Sequence, residues 1–212
     1  MKIANDAQFW DKSSRGYARS AVADPAAYER TLRRTRDYLR AGDHLLELGC
    51  GTGSTALHLA DAVQTYQATD ISPGMIAIAE EKRALHPVPG LSFRAATAET
   101  LAPAAGGYDA ILGFNYLHLV RDVPATLRHI HDLLAPEGLF ISKTACLGDM
   151  NPLIRLVLLP IMSAIGKAPT VTAFTAQQLA QMLTASGFDI LVTENHASKG
   201  KDSRPFIVAR KR

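Results

Sequence analysis

The chain is poor in cysteine and in long apolar runs. Among 212 residues there are only two cysteines, Cys50 and Cys146, far apart. They form no Cys-x-x-Cys pair and no disulfide framework, which argues against a thiol redox motif and a secreted, stapled scaffold. The N-terminal stretch Met1-Lys2-Ile3-Ala4-Asn5-Asp6 lacks the apolar region of a secretory signal, so a cytoplasmic location is expected. No apolar run reaches the roughly 18 residues a membrane span needs, so no transmembrane segment is expected. Internal repeats and low-complexity tracts are lacking too. Hydrophobic residues make up 47% and charged residues 20%, which excludes a disordered chain.

Neither sign of charge dominates: 23 Lys/Arg oppose 20 Asp/Glu, for a net charge of +3. The excess sits in residues 1–42 and 196–212, whereas 43–195 is acidic. A basic tail that aids solubility accounts for this; a contact with an anionic partner is the sharper reading, and no specific nucleic-acid partner is expected.

A chain of this length supports one domain, 1–212, that buries roughly 70% of its unfolded surface. From residue 43 onward strand-like and helix-like stretches alternate, which predicts a parallel α/β sheet. Strands are expected at 45–48, 65–70, 91–97, 108–114, 139–144, 188–194 and 205–210. Ser72 followed by Pro73, and Asp122 followed by Pro124, read as capped helix starts. Leu127, Ile130 and Leu134 supply a helical apolar face, and Pro136-Glu137-Gly138 a turn into the fifth strand. Thr175 and Gln178 form a capping-box pattern, with Gly187 as the stop.

Two segments lie outside the alternation. Residues 1–42 form an N-terminal cap arm, with a helix from Asp24-Pro25 through Leu39. Residues 146–174 form an apolar, lid-like insertion. Within it, 153–165 is apolar on nearly every side and reads as a helix capped by Asn151-Pro152, with Pro160 inside. That segment suits a lid over an apolar pocket, with Arg155 and Lys167 at its rim, or a surface that pairs two subunits as a homodimer.

The most informative stretch is Leu45-Leu46-Glu47-Leu48-Gly49-Cys50-Gly51-Thr52-Gly53, a buried strand that runs into alternate glycines and then a helix. Glycines let the backbone turn sharply and approach a ligand closely. The spacing is G-x-G-x-G, with Ser54 where the dinucleotide fingerprint needs glycine or alanine. Glu47 just before the loop would repel a pyrophosphate, which opposes a nicotinamide oxidoreductase. It favours an amino acid joined to a nucleoside, whose ammonium meets the acid and whose carboxylate meets the loop amides. Asp70, at the end of the second strand, can accept hydrogen bonds from ribose hydroxyls. It also suits a turn before Ser72-Pro73.

These residues resemble the class I S-adenosylmethionine-dependent methyltransferases, in the small-molecule branch similar to ubiquinone and menaquinone C-methyltransferases. Leu45–Gly53, Asp70-Ile71-Ser72-Pro73-Gly74-Met75, Phe93–Leu101, Tyr108–His118 and Pro136-Glu137-Gly138-Leu139 occur in that family's order. The resemblance implies a Rossmann-like, seven-stranded, mostly parallel sheet with helices on both faces, strand order 3-2-1-4-5-7-6 and the last strand antiparallel. It implies S-adenosyl-L-methionine as cofactor. Glu47, Gly49, Cys50 and Gly51 would surround the methionine part, with Gly53 also among the cofactor-binding residues; Asp70 would hold the ribose, and Ile71 and Met75 would flank the adenine. Thr97 stands where the family often has an acid, so Thr97, Ala98 and Glu99 would share the adenine edge. Tyr17 would fold over the cofactor with Trp10 and reach its carboxylate or the substrate.

At the reacting end the fourth strand closes with Phe114-Asn115-Tyr116-Leu117-His118. Asn115 is a polar group where open sheets bind ligands. His118 is the best-placed base and Tyr17 a second catalytic candidate. The Asn/Asp-Pro-Pro-Tyr of nucleobase amine methyltransferases is lacking, and no metal site is expected. Asp149 and Asn151 read as a turn and a helix cap, and His129 and His131 do not share a helix face. The expected reaction is direct in-line methyl transfer to a small, largely hydrophobic molecule. The alternative is an S-adenosylmethionine-binding module without transferase activity, such as a sensor or partner subunit.

Overall fold

The computed structural model describes residues 2–102, 106–150, 171–200 and 203–212. Seven strands are present: β1 (His44–Leu48), β2 (Thr65–Asp70), β3 (Leu91–Ala95), β4 (Tyr108–Phe114), β5 (Leu134–Lys143), β6 (Phe188–Glu194) and β7 (Phe206–Lys211). They form one sheet in the order β3-β2-β1-β4-β5-β7-β6. Neighbours from β3 to β5 are parallel, while β7 runs antiparallel to both β5 and β6. The expected order and the reversed last strand are both observed. The predicted helix over 153–165, its cap, Pro160, Arg155 and Lys167 lie outside the described residues.

Alternation along each strand divides the apolar side chains between two cores. Leu46, Leu48, Ile111 and Phe140 pack on one face of the sheet, with α5 (Val123–Leu133) and α6 (Ala176–Ala185). Leu45, Ala68, Leu112 and Ile141 pack on the other, with α3 (Ser54–Leu59). Burial on both faces is what an all-parallel centre requires, and it explains the near-continuous apolar run of β1. Side chains close the helix starts as the sequence predicts. Asp24 caps α2 (Pro25–Arg36), Ser72 caps α4 (Pro73–Leu85), Asp122 caps α5, and Thr175 with Gln178 forms the capping box of α6.

Four features differ from expectation by more than a single residue. The N-terminal arm begins with a helix, α1 (Lys2–Arg19), with Ile3, Ala7, Trp10 and Tyr17 at helical spacing, which the expected single helix from Asp24-Pro25 does not include. Polar contacts to α4 hold it: Asp11 Oδ1 accepts from Ser72 Oγ and from Gly74 N, and Arg15 forms a two-pronged pair with Glu81. The second helix stops at Arg36 rather than reaching Leu39. The third strand stops at Ala95, because Thr97 leaves the sheet to cap a 3-10 turn, Ala98–Thr100. The fifth strand starts at Leu134, not at 139. Helix α5 ends at Leu133, and Leu134 pairs with Tyr108 before a bulge restores register at Ala110 and Leu139. The expected turn at 136–138 is that bulge, with Glu137 at φ 62°.

Candidate functional site

The carboxyl ends of β1, β2, β4 and β5 open into a cavity of about 940 Å³, roofed by α1 and the start of α2. Ligands of open α/β sheets bind on this edge. Its floor is the loop after β1. Gly49, Gly51 and Gly53 all have left-handed backbone, at φ 69°, 55° and 76°, so glycine is required at each. Their surroundings differ. A Cβ on Gly49 would lie 2.9 Å from Tyr116 Cδ2, and one on Gly53 would lie 2.7 Å from Phe93 Cζ and 2.8 Å from Ala79 Cβ. Only at Gly51 is there room, the nearest atom being Tyr17 Cε1 at 3.7 Å. Gly49, Cys50 and Gly51 line the cavity; Gly53, expected to join them, does not. Its missing side chain lets α3 pack on α4 and β3 instead.

Two carboxylates give the cavity its electrostatic character. Asp70 Oδ2 accepts from Gly51 N and Oδ1 from Ser72 N, both at 2.9 Å. The cap-like reading of Asp70 is therefore also true: it braces the glycine loop and the entry to α4 while lining the cavity. Burial pushes its carboxyl up, opposed by those backbone bonds. Glu47 is 2% exposed and accepts from Tyr66 Oη at 2.9 Å. Burial raises it to about 7, with the Tyr66 bond opposing and the Asp70 charge adding to the rise. A cation beside Glu47 would relieve this, since an opposite charge favours the ionised acid. The Cys50 thiol is pushed up by the same burial and the same two acids, so it stays protonated.

Ile71, Met75, Thr97, Ala98 and Glu99 line the side of the cavity between β2 and β3. The Thr97 hydroxyl accepts from Thr100 N, and Thr97 N donates to Thr100 Oγ1 at 3.0 Å. Its expected contact with an adenine therefore shares a group with the cap. The Tyr116 phenol is pushed up by burial and by the Glu99 charge on this side. Glu99 Oε1 accepts from Thr126 Oγ1 at 3.1 Å, which ties this side to α5.

At the other end Asn115 holds a left-handed turn at φ 51°, with its N–H on Lys143 O at 2.8 Å. His118 lies in the 3-10 turn that follows, its Nδ1 2.9 Å from Thr144 Oγ1. Burial and the nearby Arg204 charge push the imidazole down to about 4, so it is neutral at physiological pH. Tyr17 is half-exposed and stands edge-on to Trp10, with ring centroids 6.2 Å apart.

The structure thus brings every expected site residue except Gly53 to one cavity. Sequence reasoning missed Tyr28, Lys82, Tyr116 and Lys143, which line it too. Tyr28 Oη meets Thr55 Oγ1 at 3.2 Å, and Lys82 Nζ donates to Thr52 Oγ1 and Ser54 Oγ. Among the described residues no group of three His, Cys, Asp or Glu side chains could hold a metal ion. No described helix is long and apolar enough to cross a membrane.

Comparison with known proteins fits this geometry. Over 187 residues, 87% of this chain, the sequence is 28% identical to the arginine-hydroxylase NDUFAF5, mitochondrial, of Danio rerio. Over 159 residues, 71% of this chain, it is 29% identical to the demethylmenaquinone methyltransferase of Symbiobacterium thermophilum. The chain covers 55% and 61% of these two relatives, little more than half of each. Among solved structures, the magnesium protoporphyrin IX methyltransferase of Synechocystis with bound S-adenosylmethionine superposes with a TM-score of 0.74. At 16% identity, over 100% of this chain and 98% of the other, that is a likeness of fold. A methyltransferase-domain model matches residues 19–193, and the chain therefore belongs to the class I S-adenosylmethionine-dependent methyltransferases, enzymes with S-adenosylmethionine as cofactor.

Proposed function

We propose that the protein transfers a methyl group from S-adenosylmethionine to a small, largely hydrophobic acceptor by direct in-line displacement. One observation carries the reading: a single cavity joins the glycine loop and Asp70 to a stretch lined by the apolar Ala21, Val22, Ala27, Phe114 and Leu147, with the polar Asp24, His118, Lys143 and Arg204 among them. The near end has the chemistry of the cofactor, and the apolar side chains beyond it suit a largely hydrophobic acceptor. Its volume, about 940 Å³, is in the upper range of small-molecule sites.

The residues present fit the cofactor. Gly51 offers open space over the loop, and the buried Glu47 suits an ammonium. Asp70 holds one backbone N–H on each oxygen, and a carboxylate oxygen can accept a second bond, so both oxygens can take ribose hydroxyls. Gly49, Cys50 and Gly51 would surround the methionine part. Ile71 and Met75 would flank the adenine, with Thr97, Ala98 and Glu99 at its edge. Tyr17 would close over the top and Asn115 would lie near the reacting carbon.

When bound, the cofactor supplies a methyl group on a sulfonium, already a good leaving group. The chain's own part is to align the acceptor, exclude water and take up a proton where the nucleophile carries one. His118 suits the last task. In the tautomer whose Nδ1–H donates to Thr144 Oγ1, Nε2 keeps its lone pair for the acceptor proton. The test is production of S-adenosylhomocysteine, by mass spectrometry, over acceptors of graded hydrophobicity. Fastest turnover of apolar acceptors supports the reading. Fastest turnover of polar ones, or no turnover in a protein that binds the cofactor, overturns it.

A further inference from the structure

A neutral imidazole carries one ring hydrogen, and the nitrogen that holds it decides whether His118 offers the cavity a lone pair or an N–H. Thr144, the residue after β5, controls that choice. It is 0% exposed, and its hydroxyl oxygen lies 3.2 Å from His118 N and 2.9 Å from His118 Nδ1. Thr172 fixes the turn from the other side: its N–H donates to His118 O at 2.8 Å and its hydroxyl to Val120 O at 2.6 Å. Neither Thr144 Oγ1 nor His118 Nε2 hydrogen-bonds any further group of the described residues. With Nδ1 turned to Thr144, Nε2 is the nitrogen left for the cavity that His118 lines.

The bonds of Thr144 can be counted. A hydroxyl has one hydrogen to give and two lone pairs to fill. The His118 backbone N–H can only donate, so it takes one lone pair. If Nδ1 also carries hydrogen, both lone pairs are taken and the Thr144 hydrogen is buried without an acceptor. If Nδ1 is bare, the Thr144 hydroxyl donates to it, and all three groups are satisfied. Folded proteins avoid a buried donor without a partner, so the second arrangement is favoured. It puts the ring hydrogen on Nε2. The count holds at physiological pH, because burial and the Arg204 charge keep the imidazole neutral.

We infer that Thr144 holds His118 as the Nε2–H tautomer, so that the imidazole meets the acceptor as a hydrogen-bond donor and the acceptor presents an oxygen lone pair there, on a carbonyl, enolate or phenolate. This rests on the methyl-transfer reading and narrows it. Taking up a proton belongs to the other tautomer, which strands the Thr144 hydrogen, so His118 favours acceptors that bring no proton to be removed. A neutral imidazole N–H polarises a carbonyl and holds an enolate or phenolate in its ionised form. The electron pair of that acceptor forms the bond to the methyl carbon, the carbon–sulfur bond breaks with its pair going to sulfur, and His118 keeps its hydrogen. Thr144 is a positioning residue: it acts through His118 and does not touch the acceptor.

The experiment is long-range proton–nitrogen NMR on the full chain with isotope-labelled histidine, saturated with S-adenosylhomocysteine near neutral pH. It separates a protonated ring nitrogen from a bare one. The His118 signals are identified by their loss in His118→Gln or, if that variant does not fold, by their through-space contact with Thr144. They should show a protonated Nε2 and a bare Nδ1. Thr144→Val should remove this preference and Thr144→Ser should keep it, which a merely structural role would not do. On titration with 4-nitrophenolate or 2-acetylnaphthalene the Nε2 signal should move, and the phenolate should bind about tenfold more weakly to His118→Phe. A bare Nε2 with a protonated Nδ1 overturns the tautomer. An Nε2 signal that answers neither probe overturns the acceptor class. Failure to bind S-adenosylhomocysteine would instead sink the methyl-transfer reading.

Discussion

Replacing Asp70 by alanine tests the near end of the cavity, and two effects must be separated. In the free protein the carboxylate holds Gly51 N and Ser72 N, each at 2.9 Å. Both N–H groups sit against the base of a buried site, and an N–H left without an acceptor costs about 1–3 kcal/mol. Some of that returns, because the carboxylate itself is buried at a cost, which is why its pKa rises. The net loss of stability is about 1–3 kcal/mol, or several degrees of melting temperature for a domain this size. The second effect is on the cofactor. Hydrogen bonds to a charged acceptor contribute about 1.5–3 kcal/mol, so affinity for S-adenosylmethionine should fall roughly 10- to 150-fold. Asp70→Asn should fall between, since its NH₂ faces an N–H that wants an acceptor. Thermal unfolding measures the first effect and calorimetry at a temperature where the variant is folded measures the second. Unchanged cofactor affinity in folded Asp70→Ala refutes the assignment of Asp70 to the ribose.

Glu47 predicts a pH dependence. Its raised pKa means that the free protein loses stability as pH climbs from the ordinary carboxylate range through about 7. An ammonium beside it favours the ionised form, so cofactor affinity should weaken as pH falls below about 7, with proton release on binding, and Glu47→Gln should flatten the curve. Calorimetry in buffers of different ionisation enthalpy reads this, and proton-independent binding at pH 6 counts against it. Gly51→Val and Gly53→Ala should part company: both strain a left-handed backbone, at about 1–2 kcal/mol, but only the first should block the cofactor directly. Gly53→Ala should instead cost a further 1–3 kcal/mol or so through overpacking on Phe93 and Ala79, read as a lower unfolding midpoint. His118→Ala should cut turnover by about 10²–10⁴ with cofactor affinity intact. In the wild-type protein the rate at saturating cofactor should stay flat above pH 5, since the imidazole is already neutral there; activity of His118→Ala within a factor of two of wild type rules His118 out as the base.

What was legible in the sequence was what local chemistry decides. The strand–glycine–helix step, Asp70 before Ser72-Pro73 and the capped helix starts each carry their reason within a few residues. The start of β5 does not. Leu133 and Leu134 are both buried, and only the pairing of Leu134 with Tyr108 shows that the helix has already ended. Helix α1 carries Ile3, Ala7, Trp10 and Tyr17 at helical spacing, but what docks it is polar, and Asp11 and Arg15 show their purpose only beside Ser72, Gly74 and Glu81. The same holds within the site. Tyr116 is placed by its contact with Gly49, and Lys143 reads as a solvated strand end until α2 and β7 bury it. Gly53 was misplaced for the converse reason, since its spacing matches a ligand loop while its neighbours are Phe93 and Ala79.

Strand β7 sits between β5 and β6, although β6 precedes it in the chain. On the ribosome β5 emerges with one edge unpaired, and β6 cannot join the sheet at all until residues 206–211 have been made. Through synthesis of the intervening stretch, Phe140 and Ile141 border an open strand edge, the kind of surface that pairs with other chains. The end of the cavity proposed for the acceptor is completed by the same late event, because Phe206 pairs with Lys143 and stacks on His196. A nascent chain can form its glycine loop early, but that end of the cavity stays unfinished until β7 slots in.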